Sequence, residues 1–125
     1  MTTAPRRALI LFAHGARDAR WSHTLEALQQ RVQARAPAAH VALAFLEFQP
    51  PTLETALADA LAGGCTQIDV VPVFWASGGH VANDVPPLLA AFRAAHPQVA
   101  LTLLPVLSEL PGLLDFVADA VTRTR

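Results

Sequence analysis

The sequence predicts an α/β domain with a parallel sheet, because strand-like and helix-like segments alternate along its length. Four apolar runs of strand length are each followed by a segment with apolar residues at helical spacing. Parallel strands need crossover helices of this kind. Since such crossovers are right-handed, the expected fold is a doubly wound, flavodoxin-like, four-stranded parallel sheet in three α/β/α layers, with strand order 2-1-3-4.

The predicted strands are apolar runs that end at turn residues. The first is apolar up to Ala13 and ends at His14-Gly15, which is typical of a strand buried on both faces. The third, which ends at Trp75, is the most strongly apolar. The predicted strands are residues 7–13, 41–48, 68–75 and 99–106.

The predicted helices are placed by capping and breaking residues. Ser22 is a good N-cap for the first helix, and the second spans 52–62 with Gly63-Gly64 after it. Asp84 is expected to cap the third helix, with Pro86-Pro87 in its first turn. The fourth is expected to run from about residue 108 to residue 122.

Composition narrows the class of protein. The 125 residues have a common size for one domain, so residues 1–125 are expected to form one. A net charge of −1 without runs of like charge argues against a nucleic-acid partner. The lone Cys65 excludes an internal disulfide and a Cys-rich metal site. We see neither a signal sequence nor a membrane span, and we expect a cytoplasmic protein.

Two histidines follow the strands on either side of the point where the strand order reverses. Ligands of doubly wound sheets bind there, outside the carboxyl ends of the strands. His14 leaves the first strand, and His80 ends the loop 76–80 after the third. Two neutral imidazoles facing one crevice can ligate a divalent metal at about 2.1 Å. Taken alone, His14 could equally be a packed, hydrogen-bonded group, whereas His80, after a Gly-Gly pair, is the sharper signal.

Charged residues near the same edge are further candidates. Glu47 ends the second strand, so its carboxylate could serve as a base or ligand, or be an ordinary strand-end charge. Arg17 and Arg20 follow His14, and guanidinium groups beside a crevice favour a ligand with carboxylates or phosphates. Alternatively, both arginines could be solvated residues in the first turn of a helix. Ser77 has no nucleophile elbow around it.

Several separated motifs, in this order, resemble the small sirohydrochlorin chelatases. The resemblance runs from about Ala8 to Leu89, and the last third of the chain is compatible in pattern only. The motifs are HGARD at 14–18, FLE at 45–47, PTL at 51–53, VPVF at 71–74, GGHV at 78–81 and DVP at 84–86. The sequence has Ala16 where the family usually has serine, and Trp75-Ala76 in place of an aliphatic pair.

The resemblance implies a chelatase that inserts cobalt, iron or nickel into sirohydrochlorin without ATP, in cobalamin or sirohaem biosynthesis. The metal is then a substrate, and no organic cofactor is expected. In the family, histidines matching His14 and His80 bind the metal. Relatives often carry two copies of this domain, so one copy implies a homodimer that builds the cleft between subunits.

The chemistry of this reaction suggests roles for the candidate residues. The macrocycle loses two pyrrolic protons as the metal enters, so the site needs a base, which His14, His80 or Glu47 could supply. The carboxylates of the substrate would favour Arg17 and Arg20 at the rim. Its flat ring suits Phe74, Trp75 and Val81, and the loop 77–79 (Ser77, Gly78, Gly79) would lie close to it.

Two other functions remain open. A non-catalytic module could hold a metal or tetrapyrrole for delivery or sensing. A histidine-phosphatase-like enzyme is suggested by His14-Gly-x-Arg17, but Ala13 stands where that chemistry requires an arginine before the histidine.

Overall fold

A computed structural model describes residues 6–18, 20–76 and 78–123, and leaves the side chains of His80 and Val81 undescribed. Four parallel strands form one sheet in the order β2-β1-β3-β4, which confirms the predicted topology. The strands are β1 (Arg6–Ala13), β2 (His40–Phe45), β3 (Cys65–Pro72) and β4 (Ala100–Leu103).

A helix connects each strand to the next, as parallel pairing requires. They are α1 (Trp21–Arg35), α2 (Leu53–Ala62), α3 (Gly79–Ala95) and α4 (Leu113–Arg123), with a 3-10 helix at Leu107–Glu109. Because successive residues of β1 point to opposite faces, its apolar run is divided between two cores. Leu9 and Leu11 lie in the core under α1, and Ile10 and Phe12 lie in the core under α2 and α3.

Three strands are shorter at their carboxyl ends than predicted. An apolar run indicates that residues are buried, but a residue belongs to a strand only if it also pairs with a neighbouring strand. β2 ends at Phe45 since its partner on β1, Ala13, is the last residue of that strand. β3 ends at Pro72, whose nitrogen has no hydrogen to donate. The predicted ends at Phe48, Trp75 and Val106 therefore lie in loops.

The prediction that Asp84 caps α3 is wrong. The helix begins at Gly79, with Gly78 as its N-cap, and the two prolines 86 and 87 lie inside it. Proline lacks an N–H and would leave the carbonyls of Ala82 and Asn83 unpaired. Both of those residues are exposed, so water can pair with their carbonyls. His80 consequently lies in the first turn of a helix and not in a loop.

Two further helix starts differ from prediction. Ser22 is the second residue of α1 and not its cap, because a turn at Asp18, whose carboxylate accepts the N–H of Arg20 at 2.9 Å, already starts the helix. The expected start at 108 falls in the 3-10 helix, and Pro111-Gly112 separates that helix from α4. Gly112 has φ +85°, which ends any helix.

The last helix stands apart from the two cores. No residue of α4 is buried, and its principal contacts are with the 3-10 helix. Leu114, Phe116 and Val121 are large apolar side chains that stay exposed. Within the described part of the chain, none of the helices has the length and apolar character that crossing a membrane requires.

Candidate functional site

The His14 and Glu47 segments are joined by backbone hydrogen bonds that continue the β1–β2 pairing. The N–H of Leu46 donates to the carbonyl of Ala13 at 2.9 Å, and the N–H of Glu47 donates to that of His14 at 3.1 Å. The N–H of Ala16 donates to Oε1 of Gln49 at 3.0 Å. These bonds fix the two loops against each other at the carboxyl edge of the sheet.

Gly15 permits this close approach. It has φ +91°, and a Cβ added there would lie 2.1 Å from the carbonyl oxygen of Glu47. No side chain fits in that space, and L residues also rarely adopt this φ. The glycine after His14 is therefore required by the geometry that brings Glu47 to the histidine.

The side chains of His14 and Glu47 meet directly. Nε2 of His14 lies 3.3 Å from Oε1 of Glu47, and about half of each side chain is exposed to solvent. On the other side of the ring, Nδ1 lies 3.3 Å from the carbonyl oxygen of Gly15. In the tautomer where Nδ1–H donates to that carbonyl, Nε2 carries no hydrogen. Its lone pair is then available to a metal ion beside the carboxylate of Glu47.

This spacing suits a shared divalent ion. Two ligands that are each about 2.1 Å from a metal are about 3.0 Å apart at an octahedral angle and about 3.4 Å apart at a tetrahedral one. The measured 3.3 Å lies within that interval. Among the described side chains, no third His, Cys, Asp or Glu joins this pair. The pair is thus open, as a site for a metal in transit would be.

Phe48 is close to both His14 and Arg17. Its ring centroid is 6.3 Å from that of His14, and the guanidinium carbon of Arg17 lies over the ring, 5.1 Å from its centroid. Phe48 has φ +72°, which is unfavourable for a bulky residue. Strained backbone conformations of this kind are often found at functional sites. Arg17 therefore sits beside the pair as an exposed cation stacked on an aromatic ring.

Arg20, the other predicted carboxylate-binding residue, already has an anionic partner. Its Nε and a terminal nitrogen lie 3.0 Å and 2.6 Å from Oδ2 of Asp18. Hydrogen bonds from the Arg20 side chain and backbone hold the pKa of Asp18 below its ordinary value, and the carboxylate raises the pKa of Arg20. A substrate carboxylate at Arg20 would have to share it with Asp18.

The connection between β3 and α3 lies at the same carboxyl edge of the sheet. Gly78 and Gly79 begin α3 and are exposed, and a Cβ added to either would meet open space. His80 follows in the first turn of the helix, so its backbone lies at this edge. Ser77 is outside the described residues, as are the side chains of His80 and Val81.

Phe74 and Trp75 have different environments, although both were predicted to contact a flat ligand. Phe74 is partly buried and packs edge-on against the core residue Phe12, with 5.6 Å between centroids. Trp75 is exposed, and its carbonyl accepts the N–H of Ser108. Of the two rings, Trp75 has the surface open to a ligand.

The remaining histidines and the cysteine lie away from the pair. His23 is exposed on α1. His40 and His96 are partly buried: Nε2 of His40 has no hydrogen-bond partner, and His96 packs on Phe92 at 4.7 Å. Cys65 is buried and free.

A cavity of about 1120 Å³ opens beside His14, between α1 and the ends of three strands. We call it the α1 cavity. Its walls are mainly apolar, and they include Ala13, Phe45 and Val73 from the strand ends and Trp21, Leu25 and Leu28 from the helix.

A protein-family model described as CbiX matches residues 8–124. The chain belongs to the CbiX family. Its fold agrees with the crystal structure of a CbiX protein of Marinobacter aquaeolei VT8, with a TM-score of 0.78 at 33% identity, over 94% of this chain and 95% of the other. The resemblance seen in the sequence motifs is thereby confirmed.

Two other proteins similar to this chain have names that state a function. A protein of Methanocaldococcus jannaschii named sirohydrochlorin cobaltochelatase is 36% identical over 89 residues, which are 71% of this chain and 62% of that protein. The chain thus covers less than two thirds of this curated relative. The sirohydrochlorin chelatase SirB of Bacillus subtilis subspecies spizizenii, solved with cobalt, shares the fold at 23% identity and a TM-score of 0.78, over 95% of this chain and 51% of SirB.

Sequence reasoning missed three residues beside the site of this CbiX chain. Gln49 anchors the backbone of Ala16, Phe48 supports Arg17, and Trp21 borders the α1 cavity. Only Trp21 had a usable signal: it lies on the same helical stripe as Leu25 and Leu28, one residue before the predicted N-cap Ser22.

Proposed function

We propose that this chain inserts a divalent metal ion, which is cobalt, iron or nickel, into sirohydrochlorin without ATP. The observation that carries the proposal is the open pair of His14 Nε2 and Glu47 Oε1, 3.3 Å apart at the carboxyl edge of a CbiX-family sheet. The names of the relatives from Methanocaldococcus jannaschii and Bacillus subtilis support the same reaction. Its product would feed cobalamin or sirohaem biosynthesis.

The reaction needs proton acceptors more than an energy source. As the metal forms bonds to the pyrrole nitrogens, two N–H bonds break and two protons leave, so charge balances without any other reactant. A carboxylate and an imidazole beside the entering metal can accept those protons at neutral pH. Glu47 and His14 have the required proximity, and both are accessible to solvent, to which the protons can pass.

In this proposal, some residues bind the metal and others bind the macrocycle. His14, Glu47 and His80 present the metal, with His80 approaching from the first turn of α3. Arg17 and Arg20 bind carboxylates of the substrate at the rim. Trp75 and Val81 contact the flat ring, whereas Phe74 supports this segment from the core, where it packs against Phe12. Ser77, Gly78 and Gly79 complete the contacts with the ring.

The apolar face of α4 supports a homodimer. Leu114 and Val121 lie on one flank of a broad apolar side of α4 and Phe116 lies on the other flank. Leaving all three exposed in a monomer would be costly, because each buried side chain of this kind contributes about 1.5–3 kcal/mol. A second copy that covers this face would hide it and add a second lobe to the cleft. We infer no nucleic-acid or membrane partner, and we propose that residues 1–125 act as one domain in the cytoplasm.

The test is insertion by the purified protein under anaerobic conditions. Sirohydrochlorin is mixed with cobalt, iron or nickel, without ATP, and the change in its absorption spectrum gives the rate with and without protein. We expect at least one metal to enter many times faster with the protein than without it. A protein that binds sirohydrochlorin but leaves every rate at the uncatalysed value would be the carrier module, and the chelatase proposal would be rejected.

A further inference from the structure

The α1 cavity shares its border with the metal pair. His14 lines its mouth, and α1 forms one wall from its first turn to Arg31. Ligand pockets for small molecules measure about 300–1,000 Å³, so a cavity of about 1120 Å³ has room for a large ligand. Mainly apolar walls beside His14 favour a flat apolar body over a hydrated ion.

Trp21 is the most exposed large apolar residue on this border. It belongs to the stripe of α1 that faces the sheet, in line with Leu25 and Leu28, and yet 73% of it is accessible to solvent. Leu25, one turn further along, is buried. The indole therefore lies where the core ends and the cavity begins, with a face available for stacking.

Cations stand at both ends of the cavity. Arg20 and Arg31 both line it, and their separation of eleven positions along the helix corresponds to about 16 Å along the axis. Arg20 is paired with Asp18, whereas Arg31 donates to the carbonyl of Ala27 across 3.5 Å, a long hydrogen bond. Two such cations fit a ligand that carries carboxylates on opposite edges of an apolar ring.

We propose that the α1 cavity receives the macrocycle, with Trp21 stacked on its face and Arg31 binding a carboxylate on the edge far from His14. This inference rests on the proposed function and adds residues that neither the motifs nor the relatives point to. It also commits to a tetrapyrrole with several carboxylates as the occupant. An apolar segment of a second chain would satisfy Trp21 but would leave Arg31 without an anion.

The test measures the dissociation constant of metal-free sirohydrochlorin, in the presence of a chelator, from its absorption change on binding. Trp21→Ala is expected to raise that constant about tenfold, and Trp21→Phe to restore most of the affinity because the aromatic face returns. Arg31→Ala is expected to weaken binding several-fold. Its matched control is Arg35→Ala, which removes an exposed arginine one turn further along α1 and outside the cavity lining.

A second readout separates binding from folding damage. The affinity for cobalt alone should stay at the wild-type value in Trp21→Ala, since His14 and Glu47 are untouched, and KM for sirohydrochlorin should rise more than kcat falls. Wild-type affinity for sirohydrochlorin in both Trp21→Ala and Arg31→Ala, in a protein that inserts metal, would overturn this inference alone. A shift of Trp21→Ala toward monomer with unchanged sirohydrochlorin affinity would assign the cavity to a second chain. A wild-type protein that neither binds nor metallates sirohydrochlorin would remove both proposals.

Discussion

Nε2 of His14 lies 3.3 Å from Oε1 of Glu47, although the two residues follow different strands. They meet because β1 and β2 are paired up to Ala13 and Phe45, and because two more backbone hydrogen bonds continue the pairing into the loops. The position of one side chain is thus set by the backbone of the other. Changes on either loop should affect both.

Glu47→Gln is expected to reduce cobalt affinity and insertion rate by about 10- to 100-fold, because the amide keeps the shape but removes the charge that holds the ion and accepts a proton. The measurements are calorimetric titration with cobalt and the insertion rate. Glu54→Gln, in the exposed first turn of α2, is the matched control and should behave as wild type. Equal cobalt affinity in Glu47→Gln and wild type would exclude Glu47 as a ligand.

Gly15→Ala is expected to disturb the site more than its effect on stability explains. At φ +91° an alanine costs about 1–2 kcal/mol of unfolding free energy, and its Cβ would also clash with the Glu47 carbonyl. The control is Gly64→Ala, which has φ +83° but open space around the added Cβ. Chemical denaturation gives the stability of each variant, and cobalt titration reports on the site. Similar cobalt affinities in the two variants would argue against the coupling.

Much of this site could be predicted from sequence, because it depends on topology. The apolar run of β1 and the strand order place His14 at the switch point, and neighbouring strands place Glu47 beside it. Their distance could not be predicted, since it depends on the positive φ of Gly15 and on two loop hydrogen bonds. No periodic pattern records such contacts.

The third helix shows where sequence reasoning fails. Two prolines are typical of a first turn, yet here they are the eighth and ninth residues of α3, and water can donate to the carbonyls that they leave without an N–H partner. Phe74 is a second case: beyond the end of a strand, alternation no longer predicts the face, and the ring turns into the core against Phe12. Both outcomes follow from tertiary packing that local sequence does not contain.

Gly79→Ala is expected to separate stability from binding. Alanine is favoured over glycine in a helix by up to about 1 kcal/mol, and none of the described atoms lies within 4 Å of the added Cβ, so Tm should stay equal or rise. If the substrate approaches this backbone, its dissociation constant should rise several-fold. Gly63→Ala, whose Cβ would make only ordinary contacts, is the control. Unchanged affinity in the stabilised Gly79→Ala protein would remove this loop from the binding surface.

Phe116→Glu is expected to convert a dimer into a monomer, because it puts a charge into the exposed apolar face of α4. Thr122→Glu adds the same charge to the polar side of the helix, which carries Asp115 and Asp119, and should leave the dimer intact. Sedimentation velocity at micromolar concentration measures both. A wild-type protein that sediments as a monomer, or a Phe116→Glu dimer, would contradict the assignment of this face.

The central claim is that His14 and His80 handle the metal as one unit. It is tested most directly by the rate of cobalt insertion into sirohydrochlorin, measured for His14→Ala, His80→Ala and the double variant. We expect each single change to lower the rate about 100-fold or more and the double change to lower it little further, because a metal held by a unit is lost when either member is removed. Since the His14 side chain is half-exposed and His80 lies in the first turn of α3, Tm should change little. A stable His80→Ala protein with the wild-type rate would contradict the claim.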